Sequence, residues 1–138
     1  MDSRGGYLTT NETLVKRAYA AFNRRDTDAA LALMTPEVRW PKASEGGEVT
    51  GRDEIRLYWL RQWSAFDPHV EPLAMNEDVE GKLRVRVRQV VKNLSGEVLS
   101  DSEVVHVFTM HAGLIAAMEL EGGPGLSDDP AAAFAHRP

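Results

Sequence analysis

The order of predicted elements around residues 51–66 is the feature that most constrains the fold of this chain. Two short helical patterns and one isolated strand precede the sequence Gly-Arg-Asp-Glu-Ile at residues 51–55, and four strands follow it in succession. The segment itself opens an aromatic helix that contains Tyr58, Trp59, Trp63 and Phe66. This order predicts an α+β fold in which three helices pack on a curved, mainly antiparallel sheet, an arrangement that encloses a pocket.

Length and composition fit one globular domain. The 138 residues allow a single core, which we expect at about residues 9–121 of a domain spanning 1–138, with a loosely ordered tail at 122–138. A net charge of −5 argues against a nucleic-acid partner, and the lack of cysteine excludes disulfides and sulfur-ligated zinc. Because no signal peptide or membrane span is recognisable, we expect a cytoplasmic protein with no membrane partner. We also expect no metal, since the histidines have no metal-ligand spacing, and no cofactor.

Local patterns predict where the first elements begin and end. Thr9 opens the first helix with a capping-box pattern, and a second, shorter helix ends at Pro36. A short strand is predicted at residues 38–40, where it stops before a proline. Residues 42–50 are predicted to form a loop at the mouth of the pocket. The third helix is expected at about residues 52–66.

Opposite charges suggest how the central strands pair. A turn at residues 93–96 joins two strands, and placing Lys92 opposite Glu97 aligns further charges on the same face. The additional pairs are Arg86 with Glu103 and Arg88 with Asp101. The other face of this register, which points into the protein, continues through His106 and Phe108 because side chains alternate along a strand.

The last two strands are predicted to be joined by a three-residue turn at residues 111–113. Their register then brings Met118 opposite His106 and Ala116 opposite Phe108. The outer sheet face carries an apolar strip between the charged pairs: Val90, Leu99, Val105, Val107, Ile115 and Ala117. Since an exposed apolar strip is typical of a partner surface, we expect a homodimer through this face.

Several of these features together resemble a known family. The two N-terminal helices, the strand ending in Trp40-Pro41, the helix start at residues 51–55 and the strands at 104–120 resemble SnoaL-like and ketosteroid-isomerase-like proteins of the NTF2-like superfamily. The resemblance, which covers roughly residues 14–120, implies a cone-shaped α+β barrel that usually dimerises through the outer sheet face. Family members include isomerases, polyketide cyclases, dehydratases, epoxide hydrolases and non-catalytic binding modules, so the fold alone does not define a reaction.

The ketosteroid isomerase machinery is missing when it is carried over by position. Trp40 occupies the position of the family's catalytic aspartate, and His106 that of its protonated aspartate. The family's oxyanion-hole tyrosine falls near Ala18, one step from Tyr19. Because tryptophan cannot abstract a proton next to a carbonyl, the resemblance excludes a true ketosteroid isomerase.

Two sets of residues are candidates for a site. His106 can act as an acid, a base or a polar contact, because an unperturbed imidazole titrates near neutrality; the alternative is a buried histidine that only completes a hydrogen bond. The candidate ligand-binding residues are Tyr19, Met34, Trp40, Trp59, Trp63, Phe108 and Met118. Large apolar side chains around a concave site are typical of pockets for flat apolar ligands, and the alternative is plain core packing.

These residues support two hypotheses of different classes. The first is a small-molecule pocket protein of the SnoaL-like type, an isomerase-, cyclase- or hydrolase-like enzyme that acts through His106 on an apolar cyclic or polyketide-like substrate. The alternative is a non-catalytic ligand-binding or dimerisation module on the same fold. A second polar group that converges on His106 would separate the two, and the candidates for it are Tyr19, Gln89, Ser100 and Ser102.

Overall fold

The computed structural model describes residues 10–42 and 45–121, which form three helices and six strands. In chain order these are α1 Thr10–Asn23, α2 Thr27–Leu31, β1 Met34–Pro41, β2 Glu48–Thr50, α3 Arg52–Trp63, β3 Asp67–Glu77, β4 Leu83–Lys92, β5 Val98–His111 and β6 Leu114–Glu121. Thr9 of the predicted capping box and the predicted tail at 122–138 lie outside the described residues.

All six strands belong to one curved sheet in the order β2-β1-β6-β5-β4-β3. Its strand pairs are antiparallel except for β1 with β6, which run parallel. The sheet does not close, because β2 and β3 are its two edges within the described part of the chain. The predicted α+β architecture, three helices on a mainly antiparallel curved sheet, is therefore confirmed.

The second helix and the first strand differ from the predicted boundaries. Asp26 caps α2 by accepting a hydrogen bond from the Ala29 amide at 3.2 Å, but this helix ends at Leu31. Pro36, predicted to end it, lies inside β1. The pairing of β1 with β6 is irregular between Met34 and Arg39, so the missing N–H of a proline there costs no regular ladder bond.

The predicted loop at residues 42–50 contains an additional short strand. Residues 48–50 pair with the end of β1, with Trp40 opposite Val49 and Pro41 opposite Glu48. The prediction of a plain loop was therefore wrong at its C-terminal end. The glycine-rich turn hid the hairpin, since only three strand residues follow it, too few for their alternation to identify a strand.

The Gly-Arg-Asp-Glu-Ile segment ties the start of α3 to β1. The Gly51 amide donates to the Val38 carbonyl at 2.7 Å, with a φ of 100° that favours glycine. The Arg52 guanidinium donates twice to the Met34 carbonyl, through Nε at 3.1 Å and through Nη2. The helix then ends at Trp63, three residues earlier than predicted.

β3 begins at Asp67 and includes Pro68. A proline is tolerated there because β3 is an edge strand. The side chain of Asn23, at the end of α1, bonds to both backbone groups of Val70 in this strand. Its Nδ2 donates to the carbonyl at 2.7 Å, and its Oδ1 accepts from the amide at 2.9 Å. The amide of Asn23 thus anchors α1 on the edge of the sheet.

The pairing of β4 with β5 is displaced by two residues from the predicted register. Val85 lies opposite His106, and Val91 lies opposite Ser100. The ladder is irregular between Val91 and Lys92, where β5 contributes one extra residue. A displacement by two residues leaves every side chain on its predicted face, so His106 points inward as expected.

Two of the three predicted charge pairs nevertheless form. They are Arg86–Glu103, at 3.0 Å, and Arg88–Asp101, at 2.8 Å. Both pairs join diagonal neighbours, because the residue directly opposite Arg88 is Glu103 and the residue directly opposite Arg86 is Val105. The third prediction was wrong, since Lys92 lies opposite Val98 and not Glu97.

The β5–β6 hairpin has a two-residue turn instead of the predicted three. Ala112 and Gly113 both have positive φ, 54° and 80°, which is typical of a type I′ turn. A second irregularity, between Thr109 and Met110, displaces the register along the rest of the hairpin. The sequence offers no asparagine-glycine signal that would have identified this turn.

The displaced register changes the neighbours of two predicted positions. Met118 lies opposite Phe108 and not opposite His106, whose partner is Leu120. Ile115 is fully buried in the core and does not belong to the outer apolar strip. Of the remaining strip, Val107 and Ala117 are buried within the single chain, and Val90, Leu99 and Val105 are partly buried.

The core lies between the helices and the inner face of the sheet, the face that carries Val85, Val87 and His106. The outer face carries the arginine ion pairs. None of the described helices is both long enough and apolar enough to cross a membrane. The cytoplasmic location stays a prediction.

Candidate binding site on the inner face of the sheet

The Tyr19 hydroxyl lies 2.8 Å from Nδ1 of His106, in the interior of the protein. Tyr19 is on the buried face of α1, and His106 is on the inner face of β5. Both side chains are buried, and only 5% of His106 is exposed. Tyr19 is thus the polar group that converges on His106, and it was one of the four candidates from the sequence. We call these two residues the Tyr19–His106 pair.

Burial keeps both members of this pair uncharged at neutral pH. Desolvation lowers the pKa of His106 to about 4 and raises the pKa of Tyr19 well above 10. A neutral imidazole carries one proton, and when the Tyr19 hydroxyl donates to Nδ1 this proton is on Nε2. The pair can therefore donate a hydrogen bond to a ligand oxygen, but His106 is a weak base because its conjugate acid is so acidic.

An aromatic cluster, formed by Phe22, Trp40, Trp59, Trp63 and Phe108, adjoins this pair. Trp40 touches Trp59 edge to face with ring centres 5.8 Å apart, and it approaches Phe108 at 6.3 Å. Phe108 in turn lies edge-on to His106, at 6.2 Å. The cluster thus continues from the helices to the polar pair across the inner face. At its far end the Arg25 guanidinium lies 4.9 Å from the Trp63 ring centre, within the range of a cation–π interaction.

The structure brings the predicted ligand-binding residues into one region. Met34, Trp59, Phe108 and Met118 are buried in the same core as Tyr19. Trp40 and Trp63 pack against that core and remain partly exposed. Burial of this degree is what core packing requires, and contact of any of these residues with a ligand stays a prediction.

Part of the inner face of β5 is accessible from solvent. Ser100, Ser102 and Val104 are partly exposed, whereas His106 and Phe108 further along the same face are buried. Exposure therefore decreases from the β4–β5 hairpin toward the Tyr19–His106 pair.

One buried polar pair on α3 was missed from the sequence. The Gln62 side chain is 4% exposed, and its Nε2 donates to the Tyr58 hydroxyl at 3.0 Å. The Oε1 of Gln62 and the Nε1 of Trp63 are buried without a hydrogen-bond partner. The spacing of Tyr58 and Gln62 by one helical turn was a signal for their contact, but it did not indicate burial.

Other charged and concave features lie away from this region. The outer-face arginines Arg84, Arg86 and Arg88 are all in ion pairs. Among the described residues, no group of histidine, aspartate and glutamate side chains is arranged to hold a metal ion. A surface cavity of about 120 Å³ lies between α1 and the α2 region, lined by Arg17, Ala20, Ala21, Arg24, Ala29 and Leu33.

Sequence comparison decides the family. The profile of the SnoaL-like domain matches residues 15–118, which is most of the chain. The chain belongs to the SnoaL-like domain family. The resemblance inferred from the helix start and the last strands is confirmed by this match. A search of curated proteins found no match for this SnoaL-like domain.

Solved structures show the same fold. An NTF2-like protein of unknown function from Burkholderia pseudomallei is 25% identical, with a TM-score of 0.73 over 84% of this chain and 92% of that protein. TerC, co-crystallised with polyporic acid, is 24% identical, with a TM-score of 0.73 over 84% of this chain and 93% of TerC. A candidate polyketide cyclase from Sinorhizobium meliloti is 23% identical, with a TM-score of 0.68 over 83% of this chain and all of that protein.

Proposed function

We propose that this SnoaL-like domain binds a flat, apolar small molecule on the inner face of its sheet and holds one ligand oxygen at the Tyr19–His106 pair. The observation that carries the proposal is the hydrogen bond between these two buried, neutral groups beside an aromatic cluster. Small-molecule sites are commonly apolar and concave with a few well-placed polar groups, which is the chemistry that this region offers.

The uncharged state of His106 favours one role among those expected from the sequence. With its pKa lowered to about 4, the imidazole is a poor proton acceptor at neutral pH, and the N–H of a neutral imidazole is too weakly acidic to be transferred as an acid. A neutral donor in a dry site can still polarise a ligand carbonyl. In an isomerase-, cyclase- or hydrolase-like reaction, His106 would accordingly stabilise a developing negative charge on oxygen, with Tyr19 fixing its ring.

The solved relatives are consistent with this class of ligand. TerC was co-crystallised with polyporic acid, and the Sinorhizobium meliloti protein is a candidate polyketide cyclase. Both are under 25% identical to this chain, so they contribute the fold and only suggest the ligand. For this chain we propose a cyclic or polyketide-like apolar compound that bears a carbonyl or hydroxyl group.

The tight burial of the inner face favours a second candidate function. Trp59 and Phe108 are almost fully buried, as they would be in a core with no ligand. On this alternative, the domain is a non-catalytic dimerisation module. In both cases we propose a homodimer through the outer sheet face, on which Val105 lies between charged pairs.

Tryptophan fluorescence can test the proposal with two matched flat compounds, fluorenone and fluorene, which differ in one carbonyl oxygen. We expect fluorenone to quench the tryptophans on binding, and His106→Ala to weaken fluorenone about fivefold, the scale of one lost hydrogen bond. Fluorene binding should change little in this variant. His69→Ala, which alters an exposed histidine on β3, is the control.

Two outcomes of this experiment would contradict the proposal. Absence of any saturable quenching would favour the dimerisation module. Equal weakening of fluorenone and fluorene by His106→Ala would mean that His106 contributes packing and no hydrogen bond to the ligand.

A further inference from the structure

We propose that the inner face carries a second polar contact point, formed by Gln89 of β4 and Ser102 of β5, and that the ligand is an elongated apolar molecule with an oxygen-bearing group at each end. This inference rests on the proposed function, because it describes the ligand of the same site. It adds a requirement that the Tyr19–His106 pair alone does not impose: the second oxygen must lie at a set distance from the first.

Gln89 and Ser102 lie directly opposite each other in the β4–β5 ladder. They share the inner face with Val85, which lies opposite His106 two positions further along the same face of β4. On the other side of Gln89, Val70 of β3 is its direct neighbour. The amide of Gln89 therefore lies in the middle of three strands, on the face that the helices cover.

The side-chain amide of Gln89 is a polar group that can take a ligand partner. Its residue is 5% exposed, and no hydrogen bond joins this amide to another side chain or backbone group in the described part of the chain. The amide is not fully enclosed, because the fully buried side-chain atoms without a partner in the same part of the chain are Oε1 of Gln62 and Nε1 of Trp63. A ligand oxygen beside Gln89 can accept a hydrogen bond from this amide, and the adjacent Ser102 hydroxyl can donate to or accept from the same group.

The strand geometry sets the distance between the two contact points. Ser102 and His106 are four positions apart on β5, which corresponds to about 13 Å at the usual rise of a strand. The inner-face residues between them are Val104 and, directly opposite it, Val87. Along the inner face, Ser102 is thus followed by the apolar Val104 and then by the polar His106. A complementary ligand has a polar group at each end and an apolar middle.

The exposure of β5 indicates which contact point is nearer to solvent. Ser102 and Val104 are partly exposed, whereas His106 is buried. A ligand that arrives along the accessible part of this face meets Gln89 and Ser102 first. Its leading end reaches the Tyr19–His106 pair, and its trailing end stays at the second contact point.

A matched pair of rod-shaped probes tests the inference: p-terphenyl with a hydroxyl group at one end, and p-terphenyl with a hydroxyl group at both ends. We expect the wild-type protein to bind the diol about fivefold more tightly than the mono-ol, since one more hydrogen bond forms. Gln89→Met, which keeps length and removes the amide, should abolish this preference. His106→Ala should weaken both probes.

Ser102→Ala is a second variant in case Gln89→Met does not fold, and it should reduce the preference for the diol. Its matched control is Ser95→Ala in the exposed β4–β5 turn, which should keep the wild-type preference. If fluorenone binds but the wild type binds both rods equally, the second contact point is wrong and the proposed function stands. If neither fluorenone nor either rod binds, both proposals are wrong.

Discussion

The Tyr19 hydroxyl and Nδ1 of His106 are 2.8 Å apart in space and 87 residues apart in sequence. The bond links α1 to the centre of the sheet, and burial leaves both groups uncharged at neutral pH. A histidine that resists protonation only in the folded state makes stability depend on pH.

We predict that acid destabilises the protein through His106. Its pKa is lowered to about 4 in the folded state and is about 6.5 when unfolded, so the unfolded state binds a proton first as pH falls. The free energy of unfolding should therefore fall by up to about 1.4 kcal/mol per pH unit below pH 6.5, roughly 3 kcal/mol in all by pH 4.

Urea unfolding at several pH values measures this dependence. The variant His106→Gln, which does not titrate, should have a visibly flatter stability profile between pH 6.5 and 4. His69→Gln, on the exposed side of β3, should follow the wild type. If the stability of His106→Gln changes with pH in parallel with that of the wild type, His106 has a similar pKa in the folded and the unfolded protein, and the prediction is wrong.

The hydrogen bond of the pair has a measurable energy. Tyr19→Phe removes the hydroxyl and leaves Nδ1 of a buried imidazole without its partner, so we expect a loss of about 1–3 kcal/mol in the free energy of unfolding. In a double-mutant cycle with His106→Gln, the two effects should be non-additive by at least about 0.5 kcal/mol. Additive effects would mean that the two side chains only pack together.

Asn23 should contribute to stability through two bonds to one strand residue. Asn23→Ala removes the partners of both the amide and the carbonyl of Val70, and we predict a loss of about 1–3 kcal/mol. Asn23→Asp can still accept from the amide and should lose less. Asn76→Ala, an exposed position in the same strand as Val70, is the control. Equal stability of the alanine and aspartate variants would contradict the two-bond arrangement.

Arg52 should stabilise the junction between α3 and β1. Arg52→Met keeps much of the side-chain length but removes both donors to the Met34 carbonyl, and we expect a loss of about 1–3 kcal/mol by thermal or urea unfolding. Arg56→Met, one turn further along α3, loses a surface ion pair with Asp28 and should cost less. A larger effect at Arg56 would contradict the proposed anchoring.

The homodimer proposal can be tested at Val105. This residue lies on the outer face directly opposite Arg86, so Val105→Lys adds a like charge there without changing the inner face. We predict that the wild type sediments as a dimer at micromolar concentration and that the variant dissociates at least tenfold more readily. A wild-type protein that sediments as a monomer would exclude this interface.

The sequence was sufficient to predict the face of most strand residues, with Ile115 as an exception, but not the register of the strands. His106 faces inward as predicted, because a displacement by two residues preserves the alternation of side chains. A displacement of the same size places Met118 opposite Phe108 instead of His106. The displacement comes from irregularities near Val91 and Thr109, which depend on how neighbouring strands fit together. The charge pairs could not reveal it, because long arginine side chains reach diagonal partners as readily as direct ones.

The sequence could predict which residues belong to the candidate site, but not which of them form hydrogen bonds or what charge they carry. The sequence named Tyr19 as one of four groups that could meet His106, and only tertiary packing selects among them. The lowered pKa of His106 is likewise a property of its surroundings. Gln62 was missed because its burial against Tyr58 depends on how α3 packs.

The bond between Asn23 and Val70 has a consequence for the solubility of the protein. At an exposed sheet edge, amides that point away from the sheet can recruit a strand from another molecule and start aggregation. In β3 the residue at that edge is Val70, and its amide is already bonded to Asn23. The neighbours that share its orientation, Pro68 and Pro72, have no amide hydrogen at all. Along residues 68–72 this edge therefore offers an approaching strand no free donor with which to pair.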